Sequence, residues 1–128
     1  MIYYLKKLIN KMNEIAIIGI GRWGKNLIRE FSKISKVKIC MTTGDKKNIA
    51  WLKENYPNVI HTTYISDIVN NSNIDAVVIA TPIKTHYTLV KKILESKKHV
   101  FVEKPLAKTT SEITKLIKIA KKNERSLF

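Results

Sequence analysis

Two hydrophobic periods take turns along this chain. Ile15-Ala16-Ile17-Ile18 is apolar at every position, the pattern of a strand covered on both faces. From Trp23 to Ile34 the apolar residues fall at helical spacing instead. The switch then repeats. Strands are predicted at Val37–Met41, Val59–His61, Ala76–Ala80 and His99–Val102. Helices are predicted at Asp45–Asn55, with Ile49 and Leu52 on one face, at Thr85–Ser96, and from Thr109 to Asn123 with Ile113, Leu116, Ile117 and Ala120 inward. Glu112 follows Thr109 by three residues, a capping box. Ser66 is expected to cap one short turn through Val69, and Ser126-Leu127-Phe128 reads as the opening of another strand. Residues 1–12 are amphipathic and read as an extension ahead of a domain spanning 13–128. A surface helix on a membrane or a partner is the other reading of that segment.

Strands alternating with helices through short loops argue an α/β domain with helices on both faces of a parallel sheet. Right-handed crossovers restrict the topology. The expected fold is a Rossmann-type doubly wound parallel sheet in the order 3-2-1-4-5, with a sixth strand missing or minimal. In such sheets ligands bind beyond the carboxyl ends of the strands. Gly19–Gly24, Thr42–Asp45, Ala80-Thr81-Pro82 and Glu103-Lys104-Pro105 all follow predicted strand ends, so four loops should converge on one crevice.

The first of these loops carries the clearest chemistry. Gly19-Ile20-Gly21-Arg22-Trp23-Gly24 sits between a strand and a helix. Gly19 permits a tight turn, Gly21 lets main-chain amides approach a pyrophosphate, and Gly24 lets the helix lie close to the strand. The helix start directs unpaired N–H groups and a positive dipole end at the anion. Arg22 and Trp23 belong to the same cofactor-binding loop, and Trp23 is placed to cover the cofactor. At the second strand end, an acid would hold a ribose 2′-hydroxyl, whereas a positive or small polar site would accept a 2′-phosphate. Asp45 lies where an acid is expected and is equally a helix N-cap. Thr43 is nearer the strand tip, so NAD and NADP both stay open. Lys104 is the candidate catalytic group: held over the crevice, it can hydrogen-bond a substrate oxygen. Glu103 is either its ion-pair partner or a strand-end carboxylate with no task. His86 either packs beneath the nicotinamide side or satisfies backbone groups.

Composition adds limits. The 128 residues suffice for one domain, not for a nucleotide domain plus a substrate domain. The net charge is +14, but Lys far outnumbers Arg and is scattered in pairs such as Lys46-Lys47 and Lys97-Lys98. Solvated helix faces account for that pattern better than a nucleic-acid interface. No apolar run reaches membrane-spanning length, and no secretory leader is read. The single cysteine, Cys40, is expected in the core and fits a cytoplasmic protein. His61, His86 and His99 lack metal-ligand spacing.

Ala80-Thr81-Pro82 through His86-Tyr87, then Lys98-His99-Val100-Phe101-Val102-Glu103-Lys104-Pro105-Leu106, resemble the Gfo/Idh/MocA family of NAD(P)-dependent oxidoreductases. Gly21 to Leu27 and Thr85-His86-Tyr87 are similar to its branch acting on nucleotide-linked sugars. The resemblance implies that Gly19, Gly21 and Gly24 bind pyrophosphate. It implies that Thr81 and Pro82 line the nicotinamide side, and that Glu103 and Lys104 face nicotinamide and substrate. It also implies a second, substrate-binding domain that this chain is too short to contain. The expectation is therefore a dinucleotide-binding domain that is inactive alone and takes a sugar-type substrate only with a second domain. The alternative is a non-catalytic nucleotide-binding module or one half of a split enzyme. A missing edge strand would favour self-association or a partner chain.

Overall fold

In a computed structural model the described residues are Tyr3 and residues 14–128. The reading of residues 1–12 as an amphipathic extension falls outside them, Tyr3 excepted. The elements are β1 (Glu14–Ile18), α1 (Arg22–Ser32), β2 (Val37–Met41), α2 (Lys46–Asn55), β3 (Ile60–Thr62), α3 (Ser66–Val69), β4 (Ile74–Ile79), a 3₁₀ turn (Ile83–Thr85), α4 (His86–Glu95), β5 (His99–Val102) and α5 (Thr110–Lys122). The sheet runs β3-β2-β1-β4-β5 with every pairing parallel, the Rossmann-like order expected.

Strand pleating explains why β1 is apolar throughout. Ala16 and Ile18 face one core with Val90, Ile93 and Leu94 of α4 and Leu116 of α5. Ile15 and Ile17 face the other, with Leu27, Ile28 and Phe31 of α1 and Leu52 of α2. Phe31 meets Phe101 edge to face at 5.4 Å between centroids. Each such buried aliphatic side chain contributes roughly 1.5–3 kcal/mol, so the two layers clamp the central strands and fix where their ends lie. Ser126–Phe128 does open a sixth strand. Val100 N donates to Ser126 O at 3.0 Å, and Val102 N to Phe128 O at 2.9 Å.

Several details depart from the pattern-based reading. β4 begins at Ile74, because Ile74 is buried and pairs with Glu14 even though Asp75 interrupts the apolar run. β3 lies one residue later than predicted. Ser66 opens α3 without capping it; the Thr62 hydroxyl organises that turn, bonding Asp67 and accepting from Tyr64 N. Ile117 does not point inward: it is 43% exposed, since α5 packs at the sheet edge and its outer flank is uncovered. Lys98, read as one of the solvated lysines, is buried.

Candidate functional site: a crevice at the strand carboxyl ends

Three main-chain bonds carry the sheet ladder past the strand ends. Gly19 N donates to Met41 O at 2.9 Å, Ala80 N to Ile18 O at 2.8 Å, and Glu103 N to Ile79 O at 3.1 Å. They set the Gly19–Gly24 loop between the Thr42–Asp45 loop on one side and the Ala80–Pro82 and Glu103–Pro105 loops on the other. The four predicted loops therefore do converge.

The three glycines of the central loop are glycines for different reasons. Gly19 has φ +93°, and a Cβ there would lie 2.6 Å from Ala80 O. A Cβ on Gly24 would lie 2.0 Å from Gly19 O, so α1 could not approach β1 as it does. Gly21 differs. Its φ is −68°, open to any residue, and a Cβ would meet nothing within 4 Å. Gly21 is also the N-cap of α1, with no side chain capping that end and no acid in the first turn. The first amides of an uncapped helix have no intrahelical acceptor and attract an anion. Arg22 is exposed beside them, and Trp23 is 54% exposed at the rim.

At the second strand end, Asp45 has one task the structure defines. Its Oδ1 accepts from Lys47 N at 2.9 Å and Asn48 N at 3.1 Å, capping α2. Thr43 is exposed. Between the strand and Thr43, the buried Thr42 hydroxyl accepts from Gly44 N at 3.1 Å and shares a 2.8 Å hydrogen bond with His61 Nε2. Spacing gave no sign of this pair, which stands 19 residues apart. Only the parallel register of Met41 with Thr62 brings the two side chains together.

On the opposite side, His86 joins two loops. It is 2% exposed, with Nδ1 2.8 Å from Pro105 O and Nε2 2.7 Å from Thr81 O. Both ring nitrogens face main-chain carbonyls, and whichever carries the N–H donates to one of them, the backbone-satisfying alternative read from the sequence. Thr81 Oγ1 lies 2.6 Å from Thr85 Oγ1, and Thr85 Oγ1 donates to Pro82 O at 2.7 Å. The Ala80-Thr81-Pro82 turn and the loop through the cis Lys104–Pro105 peptide are thus tied to each other and to the start of α4. Lys104 stands exposed at the crevice end of β5. It forms no ion pair with Glu103, which is the half-buried carboxylate of a strand end whose amide continues the ladder onto Ile79, the other of the two readings open for that residue.

Other ionisable groups stand apart from this crevice. Burial pushes the Cys40 thiol up to about 12, so it behaves as a core residue, as expected. Lys98 Nζ donates to Asn71 O at 2.6 Å and Ile74 O at 2.8 Å, and burial lowers its pKa against a partly offsetting pull from Asp75. His99 Nδ1 accepts from Ser126 N at 2.9 Å, with its pKa lowered by burial and then by Arg125. Among the described residues no cluster of three His, Cys, Asp or Glu could hold a metal, and no helix is long and apolar enough to cross a membrane. A cavity of about 430 Å³ opens beyond β5, its lining including Lys104, Leu106, Ile117, Arg125, Leu127 and Phe128.

The glycine loop, uncapped helix and converging loops match a known family over nearly all of this domain. Residues 13–128 fit the family described as "Oxidoreductase family, NAD-binding Rossmann fold", Gfo/Idh/MocA. The chain belongs to the Gfo/Idh/MocA oxidoreductase family. It is an NAD-binding oxidoreductase domain, in a family of NAD(P)-dependent enzymes. An uncharacterized oxidoreductase, YrbE of Bacillus subtilis, is 29% identical over 110 residues, 84% of this chain and 32% of its own length. A glycosyl hydrolase family 109 protein of Solibacter usitatus is 32% identical over 123 residues, 87% of this chain and 28% of its own. Biliverdin reductase of Synechocystis, solved with biliverdin and NADP+, superposes with a TM-score of 0.82 at 25% identity, covering 89% of this chain and 36% of that one. The chain thus spans about a third of the length of these Gfo/Idh/MocA relatives.

Proposed function

We propose that this chain is the dinucleotide-binding part of an enzyme that moves a hydride between nicotinamide and a hydroxyl or carbonyl carbon of a sugar or sugar-nucleotide. Gly21 carries the reading. Neither backbone strain nor internal packing asks for glycine there, whereas a ligand passing close over the main chain does. Gly19, Gly21 and Gly24, with Arg22 and Trp23, hold the pyrophosphate end. Thr43 and Asp45 lie at the adenosine ribose. Ala80, Thr81 and Pro82 line the nicotinamide side, with His86 beneath them and Glu103 beyond. The bound cofactor supplies the hydride chemistry. Lys104 donates a hydrogen bond to the reacting substrate oxygen and stabilises charge that develops on it. The sugar assignment rests on Gly21–Leu27 and Thr85-His86-Tyr87, and a cytoplasmic setting accords with the lone buried thiol.

Only Lys104 among these residues stands ready to meet a substrate, so the chain alone turns over little or nothing. The apolar cavity beside Lys104 favours a second arrangement of the same chemistry: a nucleotide-binding module or enzyme half whose partner, or second copy, covers Leu106, Leu127 and Phe128. Calorimetric titration tests the main reading. The parent chain binds NAD or NADP, and Gly21→Val loses at least a hundredfold in affinity while its melting temperature holds. Undiminished binding by that variant, or no binding by the parent, overturns the reading. Sugar-dependent NAD(P)H formation by the purified chain would overturn the expectation that it is inactive alone.

A further inference from the structure

We propose that His86 is a positioning residue: wedged between Thr81 and Pro105, it sets the spacing between the loop that lines the nicotinamide and the loop that carries Lys104. This rests on the function proposed above, in which nicotinamide lies against Ala80, Thr81 and Pro82 and Lys104 meets the substrate oxygen. A misplacement of about 1 Å between reacting groups can cost roughly a hundredfold in rate, so the spacing of these two loops bears directly on hydride transfer.

The two loops are anchored unequally. The Ala80-Thr81-Pro82 turn is held on several sides. Ala80 N donates to Ile18 O, Thr85 N donates to Pro82 O, and the Thr81 and Thr85 hydroxyls are bonded to each other. The turn also packs so tightly on Gly19 that a Cβ there would lie 2.6 Å from Ala80 O. The Lys104 loop has almost none of this. Glu103 N is bonded to Ile79 O, and Lys108 N to Glu112 Oε2. Between them, the one hydrogen-bonding contact of residues 104–107 among the described residues is Pro105 O with His86 Nδ1, at 2.8 Å. Pro105 has no N–H to give, and both it and Lys104 are exposed. Burial of Ala107 fixes only the far end of the loop. The contact itself is stiff. His86 is 2% exposed and opens α4 on the helix face that buries Val90 and Ile93, so its ring is fixed to the core. Its other nitrogen stands 2.7 Å from Thr81 O. A neutral ring carries one N–H, so it bonds one carbonyl and turns a lone pair to the other. Whichever it bonds, the rigid ring separates the two carbonyls by its own width, and Lys104 follows from Pro105.

Titration of the full chain with NADH and NADPH, and with ADP-ribose and its 2′-phosphate, which lack the nicotinamide, is the test. In the parent, the bound reduced dinucleotide should fluoresce more strongly than the free one. His86→Gln should abolish that enhancement and weaken the reduced dinucleotide about tenfold. Its affinity for the matching ADP-ribose should stay within about twofold, because the pyrophosphate loop is remote from the change. A role confined to folding would weaken both ligands alike. A second measurement needs no variant. In the parent, NADH or NADPH should shift the nuclear magnetic resonances of the His86 ring nitrogens and the Lys104 amide, and the matching ADP-ribose should leave both in place. If His86→Gln fails to fold, these resonances decide alone. Equal weakening of both ligands in a folded His86→Gln, an enhancement that survives the substitution, or ring and Lys104 signals indifferent to nicotinamide overturns this proposal and leaves the function standing. A parent that binds none of the four ligands overturns both.

Discussion

Lys98 and Lys104 bracket β5, and their surroundings are opposite. Lys98, at the amino end, is 3% exposed and gives two hydrogen bonds to main-chain carbonyls. Lys104, at the carboxyl end, is exposed and makes no ion pair among the described residues. The contrast extends across the sheet. At the amino ends Glu14 pairs with Lys36 at 3.3 Å, Ile15 N donates to Lys36 O, and His99 holds Ser126. Among the described residues the buried Ser35 Oγ at that end is the exception, with no hydrogen-bond partner. At the carboxyl ends, among the described residues, the α1 amides have no side-chain cap, Gly21 faces open space and the Thr43 hydroxyl has no partner. Ser35 apart, the polar groups named at the amino ends are satisfied internally and hold the fold. At the other ends they are presented outward, as binding a ligand requires.

The glycines give the sharpest way to break this comparison. Gly24→Val forces a side chain against the Gly19 carbonyl and should destabilise by about 4 kcal/mol or abolish folding. Gly21→Val should change stability by less than about 0.5 kcal/mol, as a surface change does. Urea denaturation of both variants checks the pair; equal losses would erase the distinction between a packing glycine and a ligand glycine.

The lysines come next. Lys98→Met strips two buried carbonyls of their donor and should cost roughly 3 kcal/mol, whereas Lys104→Met should cost roughly nothing. Thermal melts of the two variants measure the difference. A Lys104 variant that melts as early as the Lys98 variant would make Lys104 structural.

A smaller effect should appear with acid. The folded-state pKa of His99 lies below its ordinary value, so between the two the unfolded chain binds the extra proton. Stability contributed by neutral His99 is complete above the ordinary histidine range and is lost as pH falls through it toward the folded value. The charged ring cannot accept from Ser126 N, so Ser126–Phe128 should leave β5 first, with Arg125 repulsion adding to the loss. Amide exchange of Val102 and Phe128 at decreasing pH reads this directly. Protection independent of pH, or unchanged in His99→Gln, would sink it.

The smallest effect belongs to Lys97, which closes α4 at φ +63°. Lys97→Gly should stabilise by about 0.5–1 kcal/mol, because glycine adopts that conformation without a Cβ penalty. A melting-temperature rise with unchanged cofactor affinity would show that improvement at the amino-end side leaves the crevice untouched.

Much of the fold was legible before any coordinates. The apolar runs Ile15–Ile18 and Ala76–Ile79 mark buried strands locally, because a strand covered on both faces leaves no polar position. The glycine spacing and the Thr109/Glu112 capping pair are local as well; Thr109 caps α5 as read, while the Glu112 carboxylate reaches back one residue further than a capping box requires, to Lys108 N. Strand order followed from handedness and short connections. Those are properties a chain carries over a few residues, so the sequence by itself determined the element order, the sheet and the four loops of the crevice. Tertiary structure decided how each polar side chain is used. Whether Lys98 or Lys104 is buried, whether Gly21 or Gly24 touches a neighbour, whether His86 meets a ligand or two carbonyls, and whether Thr42 finds His61 all depend on atoms far away in the chain. Burial and hydrogen-bond partners are set by three-dimensional register, and a linear pattern of residue types does not contain them.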